Sequence, residues 1–430
     1  MNCLLNSLKG GATIALGLLI AIAGSPLPGG LEAHASRVNC ESGMAAGFPC
    51  SRIDLISKVD LKNSGLESKS GNDVWGWADS LTKREYALMG LSNKTAVVDV
   101  TDAENPVHIA DFPSQSRGSI WRDIKIYKDH AFIVSEASGH GLQIFDLKVL
   151  RAIPLNVTEP MIIDNFVFYS NFESAHNIFI NEETGFAYVV GTNTCDAGAH
   201  VIDVRNPESP RFMSCIDRDI FSELPEHSDD FQFAGADDTY THDIHCVVYR
   251  GKDVRFFGHE ICVASNADTV NIVDVTDKSN PVELGAITYK GVGFVHQGWM
   301  TEDHAYFLLG DEIDEMISGE NTKTYIFDLD KLDEPKLIGK YVATTKAIDH
   351  NLYVKGKYVY QSNYRAGLRI LSLDEIAQGK MSEVAYFDTF PESDDANFSG
   401  AWSVFPFFSS GNILISNMDG FLFVVRASLP

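Results

Sequence analysis

Short apolar strands recur along this chain at a steady interval. The clearest phrase is an apolar pair, then Asp, then another apolar residue. It reads Val97-Val98-Asp99-Val100, Ile144-Phe145-Asp146-Leu147, Val201-Ile202-Asp203-Val204, Ile272-Val273-Asp274-Val275 and Ile326-Phe327-Asp328-Leu329. Two weaker copies follow, Ile370-Leu371-Ser372-Leu373 and Val424-Val425-Arg426-Ala427. Ahead of each copy stands a run rich in aromatic and β-branched residues, such as Ala131-Phe132-Ile133-Val134 or Tyr306-Phe307-Leu308-Leu309, which reads as a strand. Behind it, Asn-Pro turns such as Asn105-Pro106, Asn206-Pro207 and Asn280-Pro281 lead into a further strand. A period of roughly 40–50 residues built from short strands marks propeller blades. The pattern predicts an all-β fold, a seven-bladed β-propeller of four-stranded antiparallel blades. The last copy stops after its third strand. The alternating segment Ile53 to Leu61 is expected to supply the missing outer strand and close the ring, which hides exposed strand edges.

Before the repeats, Lys9 precedes an apolar run from Ala12 to Ala23, a Pro/Gly stretch and Ala33-His34-Ala35. This is the layout of a signal peptide cleaved after Ala35. The expected organisation is a signal peptide over 1–35, a short segment over 36–51 and the propeller over 52–430. No other stretch is long and apolar enough to span a membrane, and no anchor is expected at the C-terminus. The expected destination is the exterior or the periplasm. Six cysteines remain after cleavage: Cys40, Cys50, Cys195, Cys215, Cys246 and Cys262. An even number in an exported chain points to disulfides between sequence neighbours, with Cys40–Cys50 closing a short loop. The net charge of −25 argues against nucleic acid or an anionic membrane as a partner, since phosphate binding needs a basic patch. Asn93, Asn156 and Asn397 open Asn-X-Ser/Thr triplets, which take glycans in a eukaryotic secretory pathway.

Candidate chemistry gathers where the blades begin. Counting back about ten residues from the second strands gives Gly76, Arg122, His176, His242, His296, His350 and Trp402. Four consecutive repeats thus place a histidine at the start of an innermost strand. Neutral imidazole is the commonest metal ligand, so His176, His242, His296 and His350 are candidate ligands of a transition metal (Zn, Cu or Fe). Asp123 and Asp243 are candidate supporting ligands. Arg122 and Arg365 could contact an anion, though ordinary salt bridges account for them more simply. The competing reading makes the histidines hydrogen-bond hubs that satisfy backbone groups between blades. His245, His259 and His304 fall off the register and read as surface or turn residues. The tryptophans read mainly as core, with one or two available to line a carbohydrate- or apolar-binding mouth. Two acidic insertions, Ile220 to Tyr240 and Asp311 to Thr322, read as solvated loops rather than calcium sites, since neither has a calcium-loop spacing.

Several long phrases resemble the choice-of-anchor B family, secreted β-propellers with LVIVD-type repeats. They are Tyr240-Thr241-His242-Asp243, Val270 to Asp277, His296-Gln297-Gly298-Trp299, Asp349 to Val354 and Ser362 to Leu368. The resemblance implies an exported propeller and assigns no activity. Two functions follow. The first is an extracellular binding scaffold acting through its channel mouth and acidic loops on a protein, glycan or small molecule. The second is a metal-dependent hydrolase or oxidoreductase using the four histidines.

Overall fold

The computed structural model describes residues 37–222 and 240–430. The proposed signal peptide and most of the first acidic insertion lie outside them. Seven antiparallel sheets succeed one another along the chain. Blade one runs through Gly71–Ala78, Glu85–Leu91, Lys94–Asp99 and Val107–Pro113. Blades three to six repeat this order without interruption, beginning at Asn177–Asn181, Asp243–Val248, Val295–Met300 and Leu352–Lys355. Blade two starts at Arg122–Tyr127 and takes its outer strand, Val167–Tyr169, from beyond an insertion. That insertion sends Met161–Ile162 back to pair in parallel with the outer strand of blade one.

The first strand of every blade packs on the first strands of the blades beside it, from one round to seven and back. Innermost position is thereby fixed for these strands. The Asp phrases form third strands, where their apolar residues are buried between neighbouring blades. The ring closes as the pattern predicts. Ile53–Asp60 pairs antiparallel with Phe421–Ala427, from Ile53 opposite Ala427 to Asp60 opposite Phe421. The first and last parts of the propeller thus share one sheet, and its edge is covered.

The three predicted disulfides are present: Cys40–Cys50, Cys195–Cys215 and Cys246–Cys262. Cys246 and Cys262 are directly opposed on adjacent strands. Cys50 lies in Phe48–Ser51, a strand added outside blade six. Among the described residues no helix is long and apolar enough to cross a membrane.

Candidate metal site at the channel mouth

The blades are locked together by a ring of polar residues near the start of each first strand. Asp73 accepts a hydrogen bond from the backbone N–H of Ile124 at 3.0 Å, Asp123 from that of Ile178 at 2.8 Å, and Gln297 from that of Leu352 at 2.9 Å. Each bond joins one blade to the next at the same register. This equivalence places Asn72, not Gly76, at the head of blade one. The reason is a longer hairpin: residues 79–84 join the first two strands there, where Lys128–Asp129 suffice in blade two. Counting back by a constant number therefore lands four residues too far along. Gly76 instead packs under blade seven, where a Cβ would come within 2.2 Å of the Phe405 ring.

The mouth ring is therefore Asn72, Arg122, His176, His242, His296, His350 and Trp402. Its four histidines form a continuous arc, with ring centroids 4.2 Å apart for His176–His242, 4.3 Å for His242–His296 and 4.5 Å for His296–His350. The arc runs inward from solvent. Glu136, its side chain 35% exposed, meets His176 at 2.6 Å, and the next three histidines are all buried.

The inter-blade hub role is visible in two of these side chains. His242 Nδ1 bonds the carbonyl of His296 at 3.0 Å, and His350 Nδ1 bonds the carbonyl of Trp402 at 2.5 Å. These are the inter-blade hub contacts. Since a carbonyl only accepts, each of these Nδ1 atoms carries the proton, and Nε2 keeps a free lone pair. A backbone-anchored imidazole with a free nitrogen is oriented as a metal ligand. His296 Nδ1 lacks such a partner.

Glu312 completes the arrangement. Its carboxylate lies 3.7 Å from His296 Nε2 and 3.6 Å from His350 Nε2. One ligand atom from each of the three residues falls within 4.8 Å of the other two. Tetrahedral zinc with bonds of about 2.0–2.1 Å separates its ligands by about 3.3 Å, so the three would draw closer together on an ion. Tyr364 donates its hydroxyl to Glu312 Oε1 at 2.8 Å and orients the carboxylate. Burial pushes Glu312 up to about 7. Burial likewise pushes His242 and His296 well below the ordinary histidine range and His350 down to about 3, so these imidazoles are neutral. Burial also opposes charge on His176, but the Glu136 carboxylate outweighs it and raises that group. The sequence reading placed Glu312 in a solvated acidic loop. Asp311, Asp314 and Glu315 of that loop are in fact buried, because it folds back under the mouth.

The other candidates stand apart from this point. Asp123 sits one level down, paired with Lys125 Nζ at 2.6 Å, and Asp243 accepts from Asn177 at 2.7 Å. Burial raises Asp243 to about 7. Neither arginine forms an ion pair among the described residues. Arg122 bonds His140 at 3.2 Å and the Ser114 hydroxyl, while Arg365 reaches Ser393 and Ser399 at 3.3 Å each. Cys195, Cys215 and Asp217 also cluster, but the two sulfurs are joined in a disulfide and are unavailable to a metal.

Three residues further along each first strand lies a second ring: Trp75, Lys125, Phe179, His245, Trp299, Tyr353 and Phe405. Its members touch, edge to face at Trp75–Phe405 and Trp299–Tyr353, each 5.2 Å between centroids, and tilted at His245–Trp299, 4.1 Å apart. Lys125 Nζ sits 4.6 Å from the centre of Trp75. His245 is thus a buried channel residue, only 4% exposed, and not the surface residue expected. Burial pushes it down to about 3. Beyond this ring a cavity of about 630 Å³ opens, with Trp75, Phe179, Trp299 and Phe407 in its wall.

No curated protein matches the chain. Among solved structures, a protein from Lactobacillus plantarum aligns at a TM-score of 0.49 and 13% identity, over 81% of this chain and 88% of its own. The β-propeller domain of Cps50 (Swd1) from Myceliophteria thermophila aligns at 0.47 and 10%, over 79% and 92%. The LVIVD repeat family matches residues 251–288, which hold the last three strands of blade four. The chain is a seven-bladed β-propeller carrying an LVIVD repeat.

Proposed function

We propose that this protein is an exported binding module whose ligand is a transition-metal ion, held at the channel mouth by His296, His350 and Glu312. The observation that carries this reading is the meeting of two imidazole nitrogens and one carboxylate, with His350 and Glu312 each already oriented by a bond elsewhere. Imidazole and carboxylate together suit zinc, iron or copper. His242 and His176 extend the donor row toward solvent and give the ion a route inward. Disulfides and the signal-like N-terminus support export, as does the resemblance to the choice-of-anchor B family.

A metal-dependent enzyme is the second reading, favoured by one feature. Three protein ligands leave coordination positions open, as in catalytic rather than structural metal sites. An ion there would act as a Lewis acid or redox centre. The residues of this chain would then orient it: Tyr364 holds Glu312, and the Trp402 carbonyl holds His350.

Calorimetric titration of metal-stripped protein with Zn²⁺, Cu²⁺ and Fe²⁺ tests the proposal. One ion should bind per chain, and Glu312→Gln should weaken binding by at least about tenfold, as loss of even an outer partner often does. Unchanged affinity in Glu312→Gln would move the ion elsewhere.

A further inference from the structure

The outer edge of blade one holds a hydrogen-bonded series that the channel does not use. The outer strand, Val107–Pro113, carries His108 and Asp111. The loop after the closing strand, residues 61–70, folds over them and brings Ser64 to His108. The Ser64 hydroxyl and His108 Nδ1 are 2.8 Å apart, and His108 Nε2 and Asp111 Oδ1 are 2.9 Å apart. Asp111 is fully buried, and its Oδ2 accepts from the Leu66 N–H at 2.7 Å and from Lys94 Nζ at 3.3 Å. Lys94 also donates to the Ser64 carbonyl, which pins the loop.

These contacts fix where the protons lie. Burial opposes charge on Asp111, but the bonds from His108 and Leu66 and the nearby Lys94 outweigh it and hold the carboxyl below its usual range. An ionised carboxylate only accepts, so Nε2 carries the proton of the neutral His108 imidazole. Nδ1 then has the lone pair, and Ser64 donates to it. A serine bonded to a base that a carboxylate orients is the arrangement of an activated nucleophile.

The surroundings leave the serine within reach. Ser64 is half-buried between exposed Asn63 and exposed Gly65. Gly65 turns the chain at φ +66°, a conformation that glycine adopts readily. Its N–H bonds no other described residue. The N–H that follows a nucleophilic serine is well placed to receive an oxyanion. An apolar surface adjoins this point. A Cβ on Gly65 would stand 2.6 Å from Pro160 Cγ. Met161 and Ile162 follow Pro160, are each 49% exposed, and pair with Ala110 and Asp111.

We propose that Ser64, His108 and Asp111 form an acyl-transfer site for carboxylic esters with an apolar acyl chain, independent of the metal centre. Ser64 Oγ bonds the carbonyl carbon as its proton passes to His108 Nδ1, and the C=O electron pair moves to oxygen beside the Gly65 N–H. When that pair returns, the ester C–O bond breaks and the alcohol leaves with the proton from His108. Water, deprotonated by His108, then releases the acid and restores the Ser64 hydroxyl. Asp111 takes no proton; it positions the imidazole and balances its charge. Pro160, Met161 and Ile162 receive the acyl chain.

The test is labelling of the full mature chain, stripped of metal with EDTA, by an alkyl fluorophosphonate. Ser64 Oγ bonds phosphorus, fluoride leaves and His108 takes the proton. Mass spectra of the intact chain and its peptides should show one phosphonyl group per chain, on Ser64. Ser64→Ala should lose the label and still melt cooperatively. His108→Ala should slow labelling at least about a hundredfold. Asp111→Asn reverses the tautomer, so its labelling rate should climb with hydroxide where the parent's is level, which loss of a loop tie alone would not produce. The unmodified protein should hydrolyse p-nitrophenyl octanoate faster than the acetate; equal rates would overturn the apolar acyl surface. No label on Ser64 in the unmodified protein, a result that needs no variant to fold, would overturn the site and leave the series as a clasp for the 61–70 loop.

Discussion

The two ends of the channel are built by the same seven strands, only three residues apart in register, yet they differ in chemistry. At the mouth, consecutive blades present imidazoles: His242 and His350 are neutral and anchored through Nδ1, and His296 and His350 stand at Glu312. At the inner ring, the equivalent positions are aromatic and pack edge to face, with Lys125 as the single fixed charge. Lys125 is neutralised by Asp123 at 2.6 Å and Asp73 at 3.8 Å. The difference teaches that repeat architecture sets where a side chain stands, while its role depends on what the neighbouring blades leave unpaired. The mouth has lone pairs without partners; the inner ring has almost none.

Ring closure underlies both ends, and breaking it should have the largest effect. Deleting residues 52–61 removes the outer strand of blade seven. The expected outcome is loss of the cooperative melt; a variant that melts sharply near the parent temperature would show that the ring does not depend on this strand.

Next in size is Lys125→Met. It strands the buried Asp123 and Asp73, and removing one partner of a buried pair costs about 3–5 kcal/mol. Urea denaturation should show this loss with metal affinity at the mouth unchanged. Trp299→Ala should cost about 3 kcal/mol, the low end for a large aromatic, because one face of the ring already meets the cavity.

A smaller effect separates the two rings by pH. His245 is pushed down to about 3 by burial, from about 6.5 when unfolded. Its neutral form therefore contributes stability above about pH 6.5 that is lost as pH falls toward 3. His245→Phe removes that loss. The variant should gain on the parent as pH drops from 6.5, whatever their order at pH 7. Glu312 and Asp243, raised to about 7 by burial, titrate in the opposite sense but alike in both proteins. A constant difference across that range would contradict the burial of His245 as neutral imidazole. The smallest effect is expected at His259, whose pairing with Asp274 is 41% exposed on the histidine side. His259→Ala should change stability by less than about 1 kcal/mol.

The blades, the closing strand and the disulfide pairs were legible because each is written in local pattern: period-two strands, a repeated Asp phrase and neighbouring cysteines. His176, His296 and His350 were legible because the hairpins of their blades are short, at 182–185, 301–305 and 356–357, whereas His242 precedes a longer one at 249–259. Blade one escaped the count through its longer hairpin, which hid Asn72 and with it the second ring. His245 was misread for the same reason: its register shows only once Asp243 is aligned with Asp73 and Asp123. Glu312 and the acids around it were hidden by composition. A run of carboxylates reads as a solvated loop unless one knows that the loop folds inward beneath a channel, and that is a tertiary fact.

The account rests most heavily on the mouth as a metal centre. Elemental analysis of the purified mature protein, beside the His296→Ala/His350→Ala variant, addresses it directly. The prediction is close to one Zn, Cu or Fe per chain in the parent and loss of that ion in a variant that still melts cooperatively. An equal metal content in both, or none in the parent after supply of all three metals, would contradict it and leave the histidines as the hydrogen-bonded seam between blades.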